Sequence, residues 1–189
     1  MNVIRQLYQA TPHNTAVWDP VAGNDYIIFV ASGSTDSQIC NGGGTSGIGK
    51  MNLQTFQKTC IIAFPYALGN VHITSNNPYG WWGYEIVDDG GTGTANDNST
   101  LAASWQSNWG HLYNEIGVGN ISTGAIYRLA HARSRLTGAA PCGGYWPQPR
   151  VSMDFSGTWI AFDSSMARTN APLPACIQDY VDVYVVKFR

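Results

Sequence analysis

The sequence has few charged residues and no long apolar run. Charged side chains make up 12% of its 189 residues, and ten Lys and Arg against twelve Asp and Glu give a net charge of −2. Because no basic field is present to attract phosphate groups, this balance argues against binding to nucleic acid or to anionic lipid. No stretch of eighteen apolar residues occurs, so no transmembrane helix is expected. The first residues, MNVIRQLYQATPHN, have neither the basic start nor the apolar centre of a signal peptide.

Several motifs that carry chemistry are also missing. No Cys-x-x-Cys pair or Cys/His spacing of a zinc site occurs, and no G-x-S-x-G elbow of an acyl-transfer enzyme. The glycine-rich segment 42–47 is not followed by the Gly-Lys-Ser/Thr of a phosphate-binding loop. The acidic segment 88–100 lacks the spacing of an EF-hand calcium loop. The sequence therefore predicts neither a metal nor a cofactor.

Glycine and aromatic residues are abundant instead. The chain has 21 Gly, 7 Trp and 10 Tyr, and aromatic residues make up 12% of it. Many turns and many aromatic side chains are typical of an all-β protein with short strands. The same composition argues against helix bundles, coiled coils and disorder.

The C-terminal stretch has the clearest strand pattern. Residues 150–155 lead into a turn at Ser156 and Gly157, where glycine accepts the positive φ that such turns require. Residues 158–163 and 181–188 are rich in β-branched and aromatic residues, and the second segment alternates with a period near two. We predict three antiparallel strands here, with Trp159 in the core.

Earlier parts of the chain can be read as copies of this unit. Further strands are predicted at residues 2–9, 25–31, 47–53, 58–64, 71–75, 81–87, 111–118 and 125–132. Residues 13–24 are predicted to form a loop, since they contain Pro20 and Gly23. The strands divide a single domain, 1–189, into blade-like units at about 21–68, 69–137 and 145–189. A two-sheet sandwich would also give short strands at this density.

The second half of the chain resembles a known group of proteins. The segments LYNEIGV, IYRLAHARS, YWPQPRVSMDFSGTWIAFDSSM and DVYVVKF, within about residues 105–189, are similar to the blades of the TolB-like, WD-repeat-like β-propellers of exported bacterial proteins. The resemblance implies an all-β fold: a β-propeller fragment of about three antiparallel four-stranded blades, the last lacking its closing strand. It implies little about function, because propellers serve as enzymes, scaffolds and ligand binders.

The number of blade-like units bears on how the ring of a β-propeller would close. Propellers typically have four to eight blades, whereas three units are visible here. We therefore interpret the chain as part of a larger propeller, whose remaining blades are its first expected partner. Residues 2–9 would supply the missing strand if further blades, or another chain, complete the ring.

The four cysteines bear on the cellular compartment. Local pairing of Cys40 with Cys60 and of Cys142 with Cys176 would close two short loops, each worth roughly 3–4 kcal/mol. The other connectivities, and four reduced thiols, remain alternatives. Disulfides would place the protein in an oxidising setting, extracellular or periplasmic.

A candidate ligand site lies where one predicted strand ends and the last unit begins. Its members are His131, Arg133, Ser134, Tyr145, Trp146, Gln148 and Arg150. An arginine could bind a carboxylate and the rings could stack on the apolar face of a sugar. The alternative is that these residues satisfy backbone groups or pack between blades. Trp81 and Trp82 are adjacent, so on a strand they face opposite sides, and at most one of them reaches a ligand.

These observations favour a non-catalytic exported module that binds a ligand or a protein partner, such as a glycan or an envelope protein, at the mouth of the channel. One alternative is a polysaccharide-active enzyme, a metal-assisted lyase of uronates that uses His131, Arg133 and Gln148. Another is a purely structural propeller within a larger surface protein.

Overall fold

The computed structural model describes residues 13–31, 38–41, 47–63, 70–87, 115–132, 150–164 and 182–189. These residues form eleven strands and one short helix, α1 (Gln38–Asn41). No helix in these ranges is long and apolar enough to cross a membrane.

The strands form three antiparallel sheets in which neighbours along the chain are hydrogen-bonded neighbours in space. Sheet 1 contains β1 (Asn14–Asp19), β2 (Asn24–Ala31), β3 (Gly47–Asn52) and β4 (Lys58–Ala63). Sheet 2 contains β5 (Asn70–Thr74), β6 (Trp81–Val87), β7 (Glu115–Asn120) and β8 (Ile126–His131). Sheet 3 contains β9 (Ser152–Met153), β10 (Trp159–Ser164) and β11 (Asp182–Lys187).

The sheets stack face to face, because alternate side chains of each strand are apolar. Between sheets 1 and 2 lies a core that includes Ile28, Val30, Trp82, Tyr84 and Ile86. A second core, between sheets 2 and 3, includes Ile116, Val118, Met153, Ile160 and Phe162. Successive up-and-down sheets packed in this way are the blades of a β-propeller. The prediction of an all-β partial propeller is therefore confirmed, and in the described residues its last blade has three strands.

One edge of each sheet lies closest to the neighbouring sheets. Strand β1 contacts β5, and β9 contacts β6. We call β1, β5 and β9 the inner strands, because in a propeller the first strand of each blade borders the channel. Strands β4, β8 and β11 then lie on the outer side.

The tight turns of all three sheets lie at one end of the molecule, which we call the turn end. They cover residues 20–23, 53–57, 75–80, 121–125 and 154–158. Ser122 Oγ donates to Asp19 Oδ1 at 2.5 Å, and the Arg189 guanidinium donates to the Ser156 carbonyl at 2.8 Å. Glycine occupies the left-handed position of the last turn, Gly157 with φ 60°, as the sequence predicts.

The outer half of one sheet face is covered by α1. Ile39 and Cys40 of this helix pack on a small core of Phe29, Ala31 and Met51, on the side of sheet 1 that faces away from sheet 2. A disulfide joins Cys40 to Cys60 of β4, which confirms this pairing. Cys142 and Cys176 lie outside the described residues.

Two expectations about the strands are wrong. Residues 14–19 do not form a loop: they form β1, whose Val17 is buried in the first core and whose Pro20 follows the strand, where a proline removes no ladder bond. Trp159 is not a core residue, because its side chain is 44% exposed on the face of sheet 3 that points away from sheet 2. The strand predicted at residues 2–9 lies outside the described residues.

Candidate functional site

A buried glutamate lies in the middle of sheet 2. Glu85 belongs to the apolar strand β6 and is fully buried. His72 lies directly opposite it on the inner strand β5. The Nδ1 atom of His72 is hydrogen-bonded to the Oε1 atom of Glu85. Because directly opposed residues point to the same face, both side chains lie on the side of sheet 2 that faces sheet 3.

The surroundings of Glu85 favour its neutral form. Burial raises the pKa of the Glu85 carboxyl to about 7, and the negative charge of Asp163 acts in the same direction. The hydrogen bond and charge of His72 lower this pKa, as does the backbone N–H of Val151. Among the described residues, the second carboxylate oxygen, Oε2, has no hydrogen-bond partner. The Val151 N–H therefore lowers the pKa of Glu85 without making a hydrogen bond to Oε2. An unsatisfied buried oxygen of this kind is costly.

A second histidine extends the pair towards sheet 1. His13 precedes β1, and its carbonyl accepts the backbone N–H of Val30 at 3.3 Å. The rings of His13 and His72 meet edge to face, with centroids 4.8 Å apart. Burial, and then the charge of His72, lower the pKa of His13. We call His13, His72 and Glu85 the His72–Glu85 site.

This site extends from the middle of sheet 2 towards the end of the molecule opposite the turn end, and it spans two sheets. His13 comes immediately before the first inner strand, His72 is on the second, and Glu85 is near the end of β6. Val151 comes immediately before the third inner strand, β9. The first strands of two blades therefore bring His13 and His72 together beside Glu85, and the third blade adds the backbone N–H of Val151.

The arrangement can exchange protons and donate or accept hydrogen bonds. A carboxyl whose pKa lies near 7, hydrogen-bonded to an imidazole, is present in both protonation states at neutral pH. In the described residues no group of three His, Cys, Asp or Glu side chains could hold a metal ion.

Only two of the seven predicted ligand-binding residues lie in the described part of the chain. His131 is the last residue of β8, where it pairs with Glu115, two strands away from Glu85. Arg150 is exposed and precedes Val151, so it lies next along the chain to a residue that influences Glu85. The other five lie outside the described residues: Arg133, Ser134, Tyr145, Trp146 and Gln148.

The sequence reasoning missed the His72–Glu85 site. Its strongest signal is Glu85 itself, a charged residue in the middle of the otherwise apolar strand WWGYEIV, because carboxylates are rarely buried without a partner. That signal does not identify the partner. His72 and Glu85 meet only through the register of β5 on β6.

A second buried glutamate has a structural explanation. Glu115 of β7 accepts hydrogen bonds from the guanidinium of Arg128 on β8, one of them from Nε to Oε2 at 2.8 Å. Both carboxylate oxygens of Glu115 are therefore paired. The nearby Tyr84 hydroxyl is buried and has no hydrogen-bond partner in the part of the chain that the structure describes. Burial, reinforced by the charge of Glu115, raises the pKa of Tyr84 to about 12.

A second recess lies between sheets 1 and 2. It has a volume of about 150 Å³ and is lined by residues that include Lys50, Ile61, Trp82 and Asn120. The Asn120 side chain accepts the N–H groups of the turn that follows it and donates to a backbone carbonyl. Its amide is thus already used within the protein, so this pocket presents fewer groups for a ligand than the His72–Glu85 site.

The three stacked sheets and the site at one mouth define the class of protein: a partial β-propeller. No family model and no curated protein matches the chain. Among solved structures, TolB from Acinetobacter baumannii matches 92% of this chain and 29% of its own, with 14% identity and a TM-score of 0.46. An oligogalacturonate lyase in complex with manganese matches 85% of this chain and 34% of its own, with 13% identity and a TM-score of 0.45. The chain thus spans about a third of the length of each. At this level of similarity neither structure assigns a function.

Proposed function

We propose that the chain is a non-catalytic β-propeller module that binds a hydroxyl-bearing ligand, such as a glycan, at the channel mouth. The observation that carries this proposal is the unsatisfied Oε2 atom of the fully buried Glu85. A buried acceptor without a donor costs about 1–3 kcal/mol. Because Glu85 is fully buried and His72 is partly exposed beside it, a ligand hydroxyl would reach Oε2 only after a movement of the surrounding side chains, and its hydrogen bond would then recover this energy.

The neighbours of Glu85 support the same function. His72 holds one carboxylate oxygen in place, so the other has a fixed position before a ligand arrives. The aromatic edge contact between His13 and His72 in turn restrains the His72 ring. Preorganised polar groups at the mouth of a propeller channel are suited to selecting one ligand by hydrogen bonding.

The compartment proposed for this module is an oxidising one, outside the cytoplasm. The Cys40–Cys60 disulfide supports it, because such bonds persist mainly in secreted, periplasmic and surface proteins. The oxidation state of Cys60 in the source cell, measured by thiol alkylation and mass spectrometry, tests this location. A free Cys60 thiol in freshly lysed cells would contradict it.

The ligand-binding proposal is tested by calorimetry against a panel of neutral and acidic sugars. The titrations are made at pH 8, above the Glu85 pKa of about 7, where the carboxylate is mainly ionised. Glu85→Gln preserves the size of the side chain but removes this charge, and we expect it to weaken binding about 10- to 100-fold, as for hydrogen bonds to charged groups. Glu115→Gln is the matched control, because it changes the other buried glutamate of sheet 2, which is paired to Arg128. We expect its affinity to stay within about threefold of the unmodified protein.

Three results would contradict the proposal. These are no binding to any member of the panel, an equal loss of affinity in both variants, and an undiminished affinity in Glu85→Gln. Cleavage of a sugar during the titration would favour the polysaccharide-active enzyme instead.

A further inference from the structure

The pocket between sheets 1 and 2 contains a lysine, and we call it the Lys50 pocket. Lys50 lies on β3 directly opposite Ile28, a residue of the first core, so its side chain points towards sheet 2. The side chain is half-buried, and its ammonium lies 5.1 Å from the centre of the Tyr26 ring. A positive charge is therefore held between two sheets, beside an apolar core.

Among the described residues, no carboxylate forms an ion pair with the Lys50 ammonium. Asp19 is close enough to respond to this charge. Although burial acts in the opposite direction, hydrogen bonds from Ser122, Ala22 and Val21 lower the pKa of Asp19, and the charge of Lys50 adds to their effect. These three hydrogen bonds all end on Oδ1, so the turn end, and not Lys50, holds this carboxylate. A charge that is partly removed from water without a counter-ion favours an anionic ligand.

The walls of the Lys50 pocket are mainly apolar. They include Ile61 of β4, Trp82 of β6 and Ile121 of the turn after β7. A cavity of about 150 Å³ is large enough to hold a benzene-sized ring. A ligand of this size can place an apolar body against these walls and an acidic group at the ammonium.

The Lys50 pocket is separate from the His72–Glu85 site. Trp82 packs in the core between sheets 1 and 2, whereas Glu85 is on the opposite face of sheet 2, where Asp163 of sheet 3 influences it. The pocket also lies near the turn end, because Lys50 is close to the end of β3 and Ile121 begins a turn. Binding at the two sites can therefore be measured independently.

The charge of the lining selects the class of ligand. In the described part of the chain, Lys50 is the single charged residue that lines this pocket. One ammonium pairs with one negative charge, and apolar walls offer no hydrogen bonds to the further oxygens of a phosphate. We propose that the Lys50 pocket binds a small monocarboxylate with an apolar body, whose carboxylate pairs with the Lys50 ammonium.

Benzoate is the test ligand, and amide chemical shifts of the isotope-labelled protein report where it binds and how tightly. We expect a dissociation constant of about 0.1–1 mM, as for a ligand of this size. The backbone amides of Lys50, Ile61 and Gly124, which line the pocket, should shift. Benzyl alcohol has the ring without the charge, and inorganic phosphate has the charge without the ring. Each should bind at least about tenfold more weakly than benzoate.

Substitutions of lysine separate charge from packing. Lys50→Met removes the charge and keeps an apolar stem on Tyr26, and we expect it to weaken benzoate binding about tenfold or more. Lys50→Arg keeps the charge, and its affinity should stay within about threefold of the unmodified protein. Lys58→Met is the matched control. The Lys58 ammonium also lies over an aromatic ring, 5.7 Å from the centre of Phe29, but in the core on the other face of sheet 1. This variant should bind benzoate as the unmodified protein does.

Four results would overturn the proposal. Benzyl alcohol or phosphate would bind as tightly as benzoate, Lys50→Met would retain full affinity, or Lys58→Met would lose as much affinity as Lys50→Met. The fourth is a set of benzoate-induced shifts that leaves out Lys50 and Gly124. Circular dichroism of each variant verifies that the sheets are folded.

Discussion

His72 and Glu85 lie on adjacent strands of sheet 2, and the imidazole of one holds the carboxyl of the other inside the protein. They are thirteen positions apart in the sequence, and a turn and the first part of β6 lie between them. The pair connects the inner strand, near the channel, to the interior of the stack between sheets 2 and 3. The burial of this carboxyl has a testable consequence for the stability of the protein.

The stability of the protein should depend on pH through Glu85. Burial raises the pKa of this carboxyl from an ordinary 4.5 to about 7. The folded state then holds the proton more tightly than the unfolded state. The resulting contribution of Glu85 to the free energy of unfolding is complete below pH 4.5 and is lost as the pH rises through about 7. Relative to Glu85→Gln, we expect the unmodified protein to lose about 1–3 kcal/mol across this window, in urea unfolding at a series of pH values.

The two proteins share His13, whose lowered pKa acts in the opposite direction, so the comparison isolates Glu85. If the free energy of unfolding varied with pH in the same way for the two proteins, burial would not raise the pKa of Glu85. Asp163, His72 and the backbone of Val151 are the other groups that act on this carboxyl, and the substitution leaves all three in place.

A methyl group at Gly119 should destabilise the protein. A Cβ atom there would lie 2.4 Å from the indole ring of Trp82, which is fully buried. We expect Gly119→Ala to lower the free energy of unfolding by about 2–3 kcal/mol, as in overpacked cores. Gly124→Ala is the control, because no atom lies within 4 Å of the added carbon, and its positive φ should cost only about 1 kcal/mol. Equal effects in urea unfolding would contradict the close packing of Trp82.

Removal of the disulfide should release α1 from sheet 1. The bond between Cys40 and Cys60 joins residues twenty positions apart. We expect the double substitution to alanine to cost about 2–4 kcal/mol, since the unfolded chain gains freedom. Hydrogen exchange should show the greatest gain in exchange in β4 and α1, which the bond joins, and little change in sheet 3. Loss of protection throughout the protein at low denaturant would show that the bond supports the whole stack.

Glycine in place of Phe56 should stabilise the turn between β3 and β4. Phe56 has a φ of 61°, and in the described residues the other positions with positive φ are glycines. The left-handed conformation costs a residue with a side chain about 1–2 kcal/mol, and the greater freedom of glycine in the unfolded chain offsets part of this. Since the Phe56 side chain is 49% exposed, we expect a net gain of about 0.5–1 kcal/mol in thermal unfolding. A loss of stability would mean that the ring makes a contact that outweighs the strain.

The Asp154 side chain should act as the cap of the last turn. Its carboxylate accepts the backbone N–H groups of Ser156, Thr158 and Trp159, at 2.8–3.1 Å. Although burial acts in the opposite direction, hydrogen bonds from Ser156 and the turn lower its pKa to about 2. We expect Asp154→Ala to cost about 1 kcal/mol and Asp154→Asn less than half of that, because an amide oxygen still accepts. Equal losses in the two variants would indicate that charge, and not acceptor geometry, matters at this position.

Strand positions could be predicted from the sequence because local composition determines them. Residues 81–87 and the turn at Gly157 were predicted at the positions at which the structure has them, and Trp81 and Trp82 do face opposite sides. Strand β1 was missed because Pro20 and Gly23 made residues 13–24 look like a loop, although Val17 packs in a core. The turn residues end that strand and do not prevent it.

Burial on a particular face could not be predicted in the same way. Trp159 is an aromatic residue in a strand whose side chains alternate between two faces. Whether its own face is covered depends on the next sheet along the stack. For the same reason the meeting of His13, His72 and Glu85 was out of reach: it requires two strand registers and the stacking of the blades. Periodicity indicates that a strand has two faces, and tertiary packing determines what each face meets.

The side-chain caps at the turn end have a consequence for how repeats in this chain should be recognised. In every turn that the structure describes, an Asp or Asn accepts the N–H groups of the residues after it; these are Asp19, Asn52, Asn77, Asn120 and Asp154. In each case the residue with positive φ follows three or four positions later. At the opposite end, the segments between strands, such as 32–46 and 88–114, differ widely in length. The spacing from the capping residue to the residue with positive φ is therefore nearly constant and the length of the blade is not, so a search for a fixed period fails where an alignment anchored on the capping residue would succeed.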